Sequence, residues 1–356
     1  MPTLKLEELK ALPSLTTETR LTKDQQLELY RWMCLNRAFD DKLGLLYRRG
    51  LIVGACFSSL GQEAVSCAST YALEERDVIA PMIRNAGSIL TKGISVRDFL
   101  ANYMFRINSP TGGRDGNTHF GDLRHGTIAP LSMLGCSIAL CSGFVMAARM
   151  RGEKRVALSW IGEGSTSTGE FHEDVNMAAV MKAPMVLIIE NNQYAYSTPV
   201  EQQCAAKSFA DKGIGYGIES FTVDGNDPLA MYEATKTCID KARAGEGFQL
   251  FEALTFRRKG HAEHDAAEYV PQEIKSYWEA RDPIFRFEKH LLEADFISED
   301  GIDAVWADVR KEIEDAEDWV NAQPQPDPAT VNQGVYAEER HPAHEDDAFL
   351  YEADFR

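Results

Sequence analysis

Apolar residues along this chain follow two repeats, and the repeats divide it into elements. Leu27, Tyr30, Leu35, Phe39, Leu43 and Leu46 recur on one side of a helix that Thr22 or Asp24 would cap and that runs to about Arg49. Gly61-Gln62-Glu63-Ala64 opens a second helix, with Glu63 suited to its first turn. Residues 128–149 are small and apolar throughout and predict a buried helix. Residues 155–161 and 185–189 are short, unbroken apolar runs, which predict strands buried on both faces. Between them Phe171, Val175, Ala178 and Met181 recur at helical spacing, and the hydroxyls from Ser165 to Thr168 offer caps.

The rest is read the same way. Residues 202–216 predict a loop and a short helix, 221–225 a strand and turn, and 228–244 an amphipathic helix. Residues 248–256 predict a further strand, and 271–323 are helical with Trp278, Phe285, Phe287, Leu291 and Leu292 as packing positions. Residues 110–126, rich in glycine and short of apolar residues, form a long loop, and long loops in compact domains are usually functional. The fold class expected is α/β: a three-layer α/β/α domain with a mainly parallel sheet. It spans residues 25–323, between an N-terminal arm (1–24) and an acidic C-terminal tail (324–356).

Residues 155–199 form one β-α-β unit, and two strands joined by a crossover helix are normally parallel. Glu163 follows the first strand and Asn192 the second, 29 positions apart. Both therefore stand at the sheet edge where open α/β sheets bind ligands. A carboxylate and an amide oxygen at a glycine loop suit a hard divalent cation such as magnesium, which completes its shell with phosphate and water. The loop and the helix N-terminus add N–H groups for that phosphate. The local expectation is a metal-bridged diphosphate. A plain structural turn is one rival. A dinucleotide fingerprint is the other, with Glu190 as the ribose acid, but its third glycine would fall at Ser167.

Composition narrows the class without naming the chemistry. The chain has 356 residues, 44% apolar and 26% charged, as an ordinary globular protein does. Its net charge of −18 argues against nucleic acid and membrane surfaces as partners. Seven cysteines form no C-x-x-C pair and read as free, buried thiols in a reducing cytoplasm. No signal peptide and no membrane-spanning run is recognised.

Residues 162–198, GEGSTSTGEFHEDVNMAAVMKAPMVLIIENNQYAYST, resemble the thiamine diphosphate motif written GDG followed by NN, with Glu163 in the aspartate position. The resemblance extends over roughly residues 25–320 to the α subunit of the E1 component of 2-oxo acid dehydrogenase complexes. It implies thiamine diphosphate and Mg2+ as cofactors, with Glu163, Asn192 and the backbone oxygen of Tyr194 as metal ligands. Gly162, Glu163, Gly164, Ser165, Asn192, Arg84, Ser132, Leu134 and His261 become the cofactor contacts. Arg84 matches a family arginine that holds the diphosphate, although Ile83 stands where tyrosine usually precedes it. Gly112-Gly113-Arg114 and His119 resemble a G-[KR]-x-x-x-x-H element at the site's mouth, and residues 257–265 resemble an R-x-x-G-H-x-x-x-D loop. His261 and His119 are the implied catalytic residues, while Ala262 replaces a serine phosphorylated in some relatives. A metal held by His261 and His264 is a weaker alternative.

The implied activity is oxidative decarboxylation of a 2-oxo acid, pyruvate or branched-chain, with acyl transfer to the lipoyl group of E2. The activating glutamate would come from a separate E1 β subunit in an α2β2 heterotetramer. An acetoin-cleaving enzyme and a non-catalytic scaffold paralogue are the alternatives. Ala55, Phe57 and Ile83 are candidate pocket residues.

Overall fold

The computed structural model describes residues 15, 16 and 18–333. The start of the expected arm and the acidic stretch from Glu338 to Asp347 lie outside the described residues. Three strands come first: β1 (Val78–Ala80), β2 (Ala157–Gly162) and β3 (Met185–Asn191). A two-strand antiparallel ribbon follows, β4 (Tyr194–Ala195) with β5 (Thr198–Pro199). Then come β6 (Ser220–Asp224) and β7 (Gln249–Leu254). The main sheet has the order β1-β2-β3-β7-β6, and every pairing in it is parallel.

The helices in chain order are α1 (Lys23–Arg48), α2 (Glu63–Tyr71), α3 (Ala86–Thr91), α4 (Val96–Tyr103), α5 (Ser137–Met150), α6 (Gly169–Val180) and α7 (Pro228–Lys241). After β7 come α8 (Gln272–Glu279), α9 (Pro283–Glu293) and α10 (Glu299–Asn321). Alternate strand residues sort into two cores. Leu158, Trp160, Val186, Ile188, Phe251 and Ala253 pack with α1 to α4, α7, α9 and α10. Ala157, Ile161, Met185, Leu187, Ile189 and Leu250 face α5 and α6. Two buried faces explain why these strands read as unbroken apolar runs.

The strand order also locates the ligand edge. The chain moves one way across the sheet from β1 to β3, then skips a place and returns from β6 to β7. Right-handed crossovers put α5 and α6, which lead into β2 and β3, on one face and α7, which leads into β7, on the other. The reversal falls between β3 and β7, so a crevice opens beyond their carboxyl ends.

Several expectations need correction. The helix expected over 128–149 starts only at Ser137: Pro130 lacks an N–H, and Gly135 has φ +100°, outside the helical region. It is not buried all round, since Leu140 and Met150 are exposed. Met181 lies just past the end of α6 and is exposed, as is Phe285 on α9. Strand β3 runs on through Glu190 and Asn191. Thr22, not Asp24, caps α1: its hydroxyl accepts from Gln25 N at 3.3 Å while Gln25 returns a bond to Thr22 N. All seven cysteines are free, but Cys136 and Cys204 are only half-buried.

Candidate active site

A cleft of about 840 Å³ opens beyond the carboxyl ends of the central strands. Its floor grows out of β2 and β3. The register pairs Gly162 with Glu190, so the residues that follow each strand come together. Asn192 N donates to Glu163 Oε2 at 3.4 Å, and Gln203 Nε2 donates to Glu163 Oε1 at 3.2 Å. Glu163 is buried, and that burial pushes its carboxyl above the ordinary range. Asn192 Oδ1 is buried and, among the described residues, accepts no hydrogen bond. Buried polar atoms rarely stay unpaired, so this oxygen calls for a partner that the described residues do not supply.

Local backbone shapes this floor. Residues Glu163–Ser167 form a 3₁₀ turn, and Thr168 caps α6 by accepting from Phe171 N. A Cβ on Gly164 would lie 2.4 Å from the Ala195 Cβ, so only glycine lets the β4–β5 ribbon close over the turn. Gln193 and Tyr196 have φ of +78° and +56°, a region that disfavours side chains and often marks a functional loop.

Two arginines add positive charge to the same cleft. Arg84 follows β1 and donates to Ser58 O at 2.9 Å and His261 O at 2.7 Å. Arg257 follows β7 and donates to Tyr194 O at 3.2 Å, Tyr196 O at 2.6 Å and the Tyr269 hydroxyl at 2.8 Å. Both are about 5% exposed. Among the described residues, neither forms an ion pair with a carboxylate. Burial, and then the neighbouring Arg257, lowers Arg84 to about 10. Two buried guanidinium groups without an ion-pair partner make the cleft strongly attractive to an anion.

His261 sits between these regions. Burial, then Arg84 and Arg257, lowers its imidazole to about 4, so it is neutral at pH 7. Nδ1 lies 3.4 Å from Arg84 Nη2. A guanidinium only donates, so Nδ1 is the acceptor and Nε2 carries the proton. The Tyr196 and Phe57 rings lie against the imidazole, with centroids 4.5 Å and 5.4 Å away.

The rim comes from loops. His119 Nδ1 lies 3.5 Å from Asp115 Oδ1, and its Nε2 lies 3.4 Å from Ser132 Oγ. Leu134 is exposed in the irregular stretch before α5 rather than on the helix. Ala55, Phe57, Ile83 and Phe105 add apolar wall.

The cofactor, metal and catalytic residues that the resemblance implied all line this cleft: Gly162, Glu163, Gly164, Ser165, Asn192, Tyr194, Arg84, His261, His119, Ser132 and Leu134, whereas Gly112, Gly113 and Arg114 do not. His264 does not, and neither does Glu190. Glu190 is buried in the sheet, accepts from Asn85 Nδ2 at 2.8 Å, and is pushed up to about 7 by that burial, so it cannot reach a ribose in the cleft. Sequence reasoning overlooked Arg257, Gln203 and Tyr196 as lining or supporting groups. Arg257 carried a usable signal, because it follows a strand at the same edge as Asn192. Gln203 carried none.

Comparison with known proteins gives the family. The family model for the dehydrogenase E1 component matches residues 30–329. The pyruvate dehydrogenase E1 component subunit alpha of Rhizobium meliloti is 32% identical over 312 residues, covering 87% of this chain and 90% of that protein. The 2-oxoisovalerate dehydrogenase subunit alpha of Bacillus subtilis is 32% identical over 320 residues, covering 89% and 97%. The pyruvate dehydrogenase E1 component subunit alpha of the same organism is 36% identical over 306 residues, covering 85% and 80%. On the length and continuity of these matches, the chain belongs to the dehydrogenase E1 component family, among the α subunits of the 2-oxo acid dehydrogenases.

Proposed function

We propose that this chain is the cofactor-holding subunit of an E1 enzyme that decarboxylates pyruvate or a branched-chain 2-oxo acid, and that it binds thiamine diphosphate through magnesium. One observation carries this reading. A buried carboxylate and an unpaired amide oxygen line the cleft together with two buried arginines that, among the described residues, form no ion pair. That donor set fits a metal-bridged diphosphate. Glu163 and Asn192 Oδ1 offer hard oxygens to Mg2+, and Tyr194 O, which accepts one bond from Arg257, keeps a second lone pair.

Thiamine diphosphate, once bound, supplies the electron sink for loss of carbon dioxide. The chain's own groups do the rest. Arg84 and Arg257 hold the anion, and the apolar wall of Phe57, Ile83 and Leu134 keeps water from the reacting end. Acyl transfer to a lipoyl disulfide forms a carbon–sulfur bond and breaks the S–S bond. The acyl carbon gives up two electrons to the disulfide, and the second sulfur takes a proton. His261 is the group on the cleft wall suited to manage that proton. A bound diphosphate offsets the charges of Arg84 and Arg257, so it raises His261 back toward the range where it titrates near neutral pH.

The activating carboxylate is expected from an E1 β subunit in an α2β2 heterotetramer, and a lipoylated E2 receives the acyl group. The exposed apolar residues Leu140, Met177 and Val180 on α5 and α6 suit a large subunit contact. No helix among the described residues is long and apolar enough to cross a membrane, and a cytoplasmic enzyme is the natural setting. The test is co-expression with a β partner. Thiamine diphosphate is then titrated with and without Mg2+, and turnover is measured on pyruvate, branched-chain 2-oxo acids and acetoin. Binding should need Mg2+, and the isolated chain should show no turnover and a tendency to self-associate. Robust turnover by the chain alone would show that the subunit reading is wrong.

A further inference from the structure

We propose that Tyr196 is a positioning residue: its ring fixes the His261 imidazole so that Nε2 faces the acyl group during transfer. The proposal rests on the reading of His261 given above.

Tyr196 is the first of two residues joining β4 to β5. Tight turns between such strands favour glycine or asparagine where φ is positive. Here a tyrosine occupies that place at φ +56°. Core packing does not explain it, because the residue is 56% exposed. It lines the cleft, and among the described residues its hydroxyl makes no hydrogen bond. What the ring does touch is His261, at 4.5 Å between centroids and 33° between planes.

The backbone is held in this conformation from outside. Arg257 Nη2 donates to Tyr196 O at 2.6 Å, and the same guanidinium holds Tyr194 O at 3.2 Å. Phe57 meets the imidazole edge-on, at 75°. With Nδ1 turned to Arg84 and two aromatic rings against the imidazole, the ring has little freedom to rotate. A proton-handling histidine gains from such fixing, because misalignment of a reacting group costs rate steeply. An otherwise unfavourable φ, locked by Arg257 and placing a ring on the candidate histidine, points to function rather than folding.

The test uses the enzyme assembled with its β partner. Tyr196→Gly, Tyr196→Phe and His261→Ala are compared for melting temperature, thiamine diphosphate affinity, decarboxylation with an artificial electron acceptor, and acyl transfer to a lipoyl domain. Glycine suits φ +56°, so Tyr196→Gly should melt no lower than the wild type. Its cofactor affinity and decarboxylation should stay within about threefold, while transfer falls roughly tenfold. Tyr196→Phe keeps the ring and should restore transfer to within twofold. Normal transfer in Tyr196→Gly, alongside impaired transfer in His261→Ala, overturns the positioning role and leaves the reading of His261 standing. If His261→Ala also transfers normally, that reading fails and the proposal fails with it. Loss of melting temperature, affinity, decarboxylation and transfer together in Tyr196→Gly would assign the residue to folding and overturn the proposal too.

Discussion

The floor and the rim of the cleft are built on different principles. The floor is made of residues just beyond strand ends: Glu163 and Asn192 immediately after β2 and β3, and Arg257 shortly after β7. These groups are buried, and parallel pairing fixes their spacing. The rim is made of His119, Ser132, Leu134 and Tyr196, all on loops or turns, and Ser132, Leu134 and Tyr196 are exposed. A charge or polar atom on the floor has nowhere to find water, so its partner must be supplied by protein or ligand. A side chain on the rim can adjust. The floor should therefore set whether the metal-bridged diphosphate binds, and the rim, which holds the implied cofactor contacts Ser132 and Leu134, how the cofactor's other end and the substrate are placed.

The strongest way to break this contrast is at the metal end. Glu163→Ala or Asn192→Ala should abolish Mg2+-dependent binding of thiamine diphosphate, because each removes a hard oxygen. Calorimetry on the assembled enzyme checks this, and wild-type affinity in both variants would sink the metal assignment. His261→Ala tests the other side of the contrast. It should leave cofactor affinity within a few-fold while acyl transfer falls by roughly 10²–10⁴, the range typical for lost acid–base help. A large loss of affinity instead would move His261 from chemistry to the floor.

Arg257→Met comes next. It removes one charge-assisted hydrogen bond to the cofactor, worth about 1.5–3 kcal/mol, so affinity for the cofactor should fall roughly 10- to 100-fold with turnover at saturation less affected. Equal losses in both would place Arg257 in the chemistry. The smallest effect concerns pH. In the cofactor-free protein His261 should stay neutral down to about pH 4. The unfolded chain takes that proton near its ordinary 6.5, so this residue's contribution to stability falls as pH is lowered from 6.5 toward 4. Loading the cofactor should raise its pKa. Imidazole titration by NMR, with and without cofactor, checks both the value and its direction.

The sequence by itself determined the β-α-β unit, since apolar period and length separate buried strands from the helix between them. It also determined that Glu163 and Asn192 share an edge, because a crossover connection leaves parallel strands no other arrangement. The loop residue His119 was legible only through resemblance, since no local pattern says where a loop folds back, whereas the loop holding His261 could also be placed at the functional edge because it follows a strand. The start of α5 was misread because small apolar residues look helical until Pro130 and Gly135 interrupt them. Tertiary structure alone decided three things. It turned Glu190 into the sheet and Glu163 into the cleft, although both follow from one short unit. It left Arg84 and Arg257 buried without a carboxylate, which depends on which groups fail to arrive. It also set the Tyr196 ring on His261, across a distance in sequence that no periodicity spans. Period and connectivity are properties of neighbours along the chain. Which charges stay unpaired, and which rings meet, are properties of the packed whole.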